Sequence, residues 1–119
     1  MAEHNELGKH GEELAVAYLQ ENGYEVLARN WTFRKAEIDI IARKGDIVAI
    51  IEVKTRSSID FGLPQEFVKK DKIQHLVRAA DKYIIENGMD VEVRFDIIAI
   101  QKEDKDFKIE HLEDAFYHF

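Results

Sequence analysis

Asp39, Glu52 and Lys54 are the residues of this 119-residue chain whose types and spacing best support chemistry. Glu37-Ile38-Asp39 opens one strand-like stretch, and after twelve intervening residues Glu52-Val53-Lys54 ends another. Between them, Gly45-Asp46 has the form of a two-residue type II′ hairpin loop, with Gly at its first central position. That loop pairs Lys44 with Ile47, and each further pair also sums to 91. Ile41 then faces Ile50, Asp39 faces Glu52 and Glu37 faces Lys54, all on one side because strand side chains alternate with period two.

Opposed residues on antiparallel strands hold their Cβ atoms roughly 4.5–5.5 Å apart, and like charges at that range destabilise the pair. Glu52 also ends a run of five apolar residues in a strand expected to be covered on both faces, where an unpaired carboxylate is costly. Three compensations are open. One hard divalent cation can neutralise both carboxylates through oxygen ligands; one acid can take a raised pKa; or Lys54 can neutralise part of the charge. A plainer arrangement is also open, in which Glu37 pairs with Lys54 while Asp39 and Glu52 are partly solvated or accept backbone hydrogen bonds. A slipped register would dissolve the whole constellation.

The elements that must position these residues are legible from periodicity. Residues 6–22 carry Leu7, Gly11, Leu14, Ala15, Tyr18 and Leu19 at helical spacing, and Asn22-Gly23 supplies a stop. YEVLARNWTF is strand-like, residues 37–43 form a second strand, and IVAIIEVK a third that belongs in the sheet centre because both its faces are apolar. A polar loop then leads to Pro64, which suits the first turn of a helix carrying Ile73, Leu76, Val77, Ala80, Tyr83 and Ile84 as one stripe. VEVRFDIIAI and FKIEHL complete five strands, separated by the EDKD turn. The order α-β-β-β-α-β-β predicts an α/β fold in three layers, with a mixed sheet flanked by helices.

Composition bounds the rest. A chain of 119 residues, 45% hydrophobic, forms one domain spanning 1–119, without repeats or linkers. The absence of cysteine excludes disulfides and thiolate chemistry and fits the cytoplasm, and no apolar run reaches the length of a membrane span. A net charge of −7 argues against a delocalised nucleic-acid binder. The charges are segregated, however: Arg29, Arg34, Lys35, Arg43, Lys54, Arg56, Lys69, Lys70, Lys72 and Arg78 lie mid-chain, and acids crowd the segment 101–119. The five histidines lack zinc-ligand spacing, Ser57-Ser58 lacks a nucleophile elbow, and there is no P-loop.

The D-x(n)-E-x-K pattern of Asp39, Glu52 and Lys54 resembles the core of the PD-(D/E)XK nuclease superfamily. With Gly8, Gly11-Glu12, Ala15, Leu19, Gly23-Tyr24, Arg29-Asn30, the segment EVKTR from 52 to 56, Phe61-Gly62, Pro64, Lys72 and Arg94-x-Asp96, the chain resembles, over about 8–100, the YraN-like family of small bacterial proteins. Ala36 stands where that family usually has glycine before Glu37.

The resemblance implies a restriction-endonuclease-like fold and metal-dependent hydrolysis of DNA phosphodiesters, on branched or flapped DNA among other forms. It implies Mg²⁺ or Mn²⁺ held by Asp39, Glu52 and the Val53 carbonyl, with Lys54 orienting water or stabilising negative charge. Glu12 resembles a first-helix acid of related nucleases and is equally an exposed helix carboxylate. Glu37 steers Lys54 or simply pairs with it.

Around this centre, Arg56, Lys69, Lys72 and Arg78 are candidates for flanking phosphates, set against a solvated helix face for Lys69 and Lys72. Trp31 and Phe33 are core residues or stacking platforms, and Arg94 with Asp96 forms an internal ion pair. Since one small domain contacts few phosphates, activity in a homodimer is compatible with this reading. The alternative class is a catalytically silent nucleic-acid-binding or adaptor module with the same fold. A protein-interaction domain using the aromatics of EHLEDAFYHF is a third.

Overall fold

The computed structural model describes residues 2–56 and 70–116, with side chains from Leu7 onward. The chain forms α1 (Ala2–Glu21), β1 (Glu25–Phe33), β2 (Ala36–Lys44), β3 (Ile47–Arg56), α2 (Lys70–Glu86), β4 (Glu92–Glu103) and β5 (Asp106–Leu112), the order expected from periodicity. Pro64, proposed for the first turn of α2, lies outside the described residues. Both Asn-Gly stops end their helices in Schellman motifs. Tyr24 N–H reaches Leu19 O and Gly23 N–H reaches Gln20 O; Met89 and Gly88 repeat the pattern on Ile84 and Ile85.

The five strands lie in the order β1-β2-β3-β4-β5, so β3 is central, as its doubly apolar pattern requires. β3 and β4 are parallel and every other pair is antiparallel. A parallel pair needs a crossover connection, and α2 lies within it. On one side of the sheet, Ile38, Ile41, Val48, Ile50, Phe95 and Ile97 pack with Ile73, Leu76, Ala79 and Ala80 of α2. On the other, Ile40, Ala42, Ala49, Ile51, Ile98 and Ile100 pack with Ala15 and Leu19 of α1. Each fully buried Leu or Ile contributes about 1.5–3 kcal/mol, which makes the three-layer arrangement the main source of stability.

The hairpin turn follows expectation. Gly45 has φ of 61° while Asp46 stays out of the positive region, and the ladder runs through Lys44↔Ile47, Ile41↔Ile50 and Ile40↔Ile51. Beyond Ile40 the ladder stops, and the expected rungs Asp39 with Glu52 and Glu37 with Lys54 do not form. Period-two alternation also fails there, because Ala36 and Ile38 share the α2-side cluster with Ile41. Opposite this break in β2, Asn30 of β1 takes φ of 51°, so both strands kink at one level.

Asp96 is fully buried on β4 beneath the α1 layer. The Arg94 guanidinium donates to both its oxygens at 2.8 and 2.9 Å, the His111 ring lies 2.8 Å away, and Asp114 N–H donates at 3.0 Å. Burial alone raises an acid, but the bonds from His111, Arg94 and Asp114 outweigh it and hold Asp96 below the ordinary carboxylate range. The expected Arg94–Asp96 pair is therefore a structural tie, joined to Tyr24 by a further Arg94 bond of 2.6 Å. The C-terminal segment also folds back: Ala115 N–H donates to Phe95 O, and Phe116 is buried beside the Phe95 ring.

α1 crosses β3 at Gly11. A Cβ there would lie 3.0 Å from Thr55 Cγ2 and 3.1 Å from Thr55 Cβ, so rotating the threonine side chain cannot clear it. Gly11→Ala gains about 1 kcal/mol of helix propensity, whereas overpacking at such a contact costs about 1–3 kcal/mol. We expect net destabilisation in urea unfolding, partly recovered by Thr55→Ala in the same chain. A more stable Gly11→Ala protein would refute the close crossing.

Candidate functional site

The break in the β2–β3 ladder builds the site. Continued regular pairing would bring Val53 N–H to the main chain of Ile38, two rungs beyond Ile40↔Ile51. Instead, Val53 N–H donates to Asp39 Oδ2 at 2.8 Å. A side-chain carboxylate thus replaces a main-chain acceptor, and the strands part to leave a cavity of about 530 Å³ bordered by Asp39, Glu52, Glu37, Lys35, Lys72 and His75. N–H and C=O of one strand residue point to the same side, so the Val53 carbonyl also faces the β2 edge.

Glu52 is 6% exposed. Its Oε1 accepts from Lys72 Nζ of α2 at 2.8 Å and lies 3.7 Å from Lys54 Nζ. Among the described residues, its Oε2 is the buried side-chain oxygen without a hydrogen-bond partner. An ionised oxygen in that condition carries a desolvation cost of several kcal/mol unless a positive group approaches it.

Asp39 responds to the same surroundings. Burial, the nearby charge of Glu52 and, more weakly, that of Glu12 push its acid up to about 7, against the opposing effects of the Val53 hydrogen bond and Lys72. Of the three compensations open in the sequence, the fold displays two together: a raised acid at Asp39 and ammonium groups at Glu52.

The structure thus brings Asp39, Glu52, Val53, Lys54 and Lys72 together, with exposed Glu37 at the rim and Glu12 reaching Asp39 electrostatically from α1. Among the described residues, Lys54 pairs with Glu52 and not with Glu37. Lys72, a candidate for flanking phosphates, also touches the central carboxylate. His75, one turn on, lines the same cavity, as its spacing of three from Lys72 on a helix allows. Lys35 and Asp71 also line it and were not singled out by sequence; a turn lysine and a first-turn aspartate carry no distinguishing signal there. Arg78 borders an adjoining recess, Arg56 closes β3, and Lys69 lies outside the described residues.

No group of three or more histidine, aspartate or glutamate side chains is assembled for a metal among the described residues. Two carboxylates and a carbonyl still fit a hard cation that retains water, since Mg²⁺ is often held by only one or two carboxylates. The partnerless Glu52 Oε2 beside the raised Asp39 acid is the feature such an ion would satisfy.

A family model described as "Uncharacterised protein family UPF0102" matches residues 11–100, which contain every element of this site. The chain belongs to UPF0102. A UPF0102 protein of Flavobacterium psychrophilum is 67% identical over the whole of both chains. Relatives from Christiangramia forsetii, at 58% over both full lengths, and Bacteroides thetaiotaomicron, at 52% over 98% of this chain and 97% of theirs, carry the same family name. No helix among the described residues is long and apolar enough to cross a membrane.

An acid held near 7 in the fold and at 3.8 in the open chain keeps, between those values, a proton that the unfolded state has lost. Folding stability contributed by Asp39 therefore declines as pH rises from about 4 through 7, and its cost is full above 7. Asp39→Asn retains an acceptor for Val53 N–H without the charge. It should be more stable than the native chain at pH 8 and equal to it near pH 4, by urea denaturation at both. A constant difference across pH would contradict a raised Asp39.

Proposed function

We propose that this UPF0102 member is a metal-dependent phosphodiester hydrolase of the PD-(D/E)XK type acting on DNA. The observation that carries the reading is the partnerless, buried Oε2 of Glu52, a residue that borders one cavity with Asp39 and its raised acid. The spacing of Asp39, Glu52 and Lys54 resembles that superfamily's core.

Asp39, Glu52 and the Val53 carbonyl would hold Mg²⁺ or Mn²⁺, which when bound supplies Lewis-acid polarisation of a phosphate and a more acidic water. Lys54, tethered 3.7 Å from Glu52 and 24% exposed, is placed to orient water or stabilise negative charge on the phosphate. Lys72 fixes the Glu52 carboxylate through its 2.8 Å bond and lowers the repulsion between the two acids. Glu12 adds negative charge near Asp39 and favours a cation there. The cationic edge for the DNA backbone comes from Lys35, Lys72 and Arg78, with Arg56 and Lys69 further candidates.

One observation favours a second reading. Lys72 and Lys54 already neutralise Glu52 and Asp39 carries a raised acid, so the site can persist without a metal as a silent DNA-binding or adaptor module.

Calorimetric titration with Mn²⁺ and Mg²⁺, with cleavage assays on single-stranded, duplex, flap and four-way DNA, separates the two. The hydrolase reading expects metal uptake that Glu52→Ala abolishes and cleavage that the same change lowers by on the order of 10²–10³-fold, the size of a lost electrostatic contribution. Equal cleavage by Glu52→Ala protein, or intact DNA throughout with no metal uptake, ends it. The module reading expects DNA affinity that survives Asp39→Ala and falls with salt.

A further inference from the structure

Beside the carboxylate cavity lies a recess of about 230 Å³ bordered by Phe33, Arg34, His75 and Arg78. Lys35, Ala36 and His75 wall both spaces, so recess and cavity are neighbouring parts of one groove between the β1–β2 turn and α2. We propose that this recess receives one unpaired base of a single DNA strand whose backbone runs over Asp39 and Glu52. The placing of the backbone rests on the hydrolase reading; the capture of a base does not.

The chemistry of the walls is mixed in the way a nucleotide requires. Phe33 supplies an apolar ring, half-buried at the end of edge strand β1. The Arg34 guanidinium lies 5.3 Å from the ring centroid, and Lys82 Nζ approaches the same ring at 5.9 Å. Arg78 faces this group from α2. Guanidinium planes and aromatic rings both stack on nucleobases, and the same cations attract the flanking phosphates.

The two aromatics of β1 pack on the same core cluster with their rings stacked at 6.4 Å. Trp31 also meets Tyr83 of α2 edge-on at 5.3 Å, whereas Phe33 borders the recess.

The recess selects an unpaired strand because a base in a duplex has both faces covered by its neighbours. Only a base turned out of the stack can enter a pocket of this kind. Concentrating cations at this groove also fits the net charge of −7, which suits a few local contacts better than delocalised binding of a duplex backbone. Glu37 and Asp71 line the carboxylate cavity and not the recess, which keeps the recess itself cationic.

The test is fluorescence anisotropy at low salt in EDTA, where metal-dependent cleavage is off. Fluorescein-labelled octathymidylate is compared with its duplex and with a strand carrying abasic spacers in place of its bases. The single strand should bind at least about tenfold more tightly than either. Phe33→Ala and Arg78→Ala should each weaken it by about five- to a hundredfold, the range set by loss of one stacked base. Phe33→Leu keeps apolar volume if the alanine variant folds poorly, and Arg34→Gly removes a guanidinium while suiting the positive φ of that turn.

Equal binding of the abasic strand, or unchanged affinity in folded Arg78→Ala and Phe33→Leu proteins, overturns the proposal. Mn²⁺ calorimetry and cleavage by the native chain test the hydrolase separately. Single-strand preference without metal uptake removes the hydrolase and keeps the recess, whereas metal-dependent cleavage without that preference removes the recess alone.

Discussion

The hydrogen bond from Val53 N–H to Asp39 Oδ2 is the interaction on which the rest of the site depends. Buried strand amides must find acceptors, and β3 is buried on both faces from Val48 to Glu52, just before Val53. Where β2 kinks away, the amide of Val53 loses its main-chain partner, and a side chain reaching back across the gap satisfies it. Asp39 does so at the cost of bringing its own charge beside Glu52. One bond therefore joins three features: the end of the ladder, the opening of the cavity and the crowding of two acids.

That crowding has consequences for the helices. Glu52 is tolerable at 6% exposure because α2 lowers Lys72 onto it, and Lys72 reaches it because Ile73 and Leu76 anchor α2 on the sheet beside it. The apolar core and the charged site are thus parts of one packing arrangement. On the opposite side of the sheet, the Asp96 cluster shows the other outcome for a buried acid. Its oxygens are fully occupied by Arg94, His111 and Asp114, so it is held ionised and takes no part in the groove. The satisfied carboxylate is thus a structural tie, and the chemistry we propose falls to the unsatisfied pair.

Much of this was legible in the chain. The Asn-Gly stops, the doubly apolar third strand and the glycine-first turn fix element order, the central strand and the hairpin register near the turn, because each is a local backbone preference or a periodicity. The register in turn places Asp39 and Glu52 near one another. The same reasoning failed after the fifth rung from the turn, where it carried period-two alternation through residues 37–39. The kink involves a left-handed Asn30 on a different strand, and no local pattern in β2 announces it.

By itself the sequence determined the residue types that share the site, the order of the layers and the repulsion that the pair of acids must resolve. Tertiary structure alone decided how it is resolved: Lys72 on Glu52, Glu37 left at the rim, Asp39 bonded to a backbone amide and holding its proton to higher pH. It also set Trp31 edge-on against Tyr83 and left Phe33, which packs on the same core, at the border of the groove. The physical reason is range. Propensity, turns and alternation act over a few residues, whereas desolvation and charge pairing depend on what a distant helix lays over the strand ends.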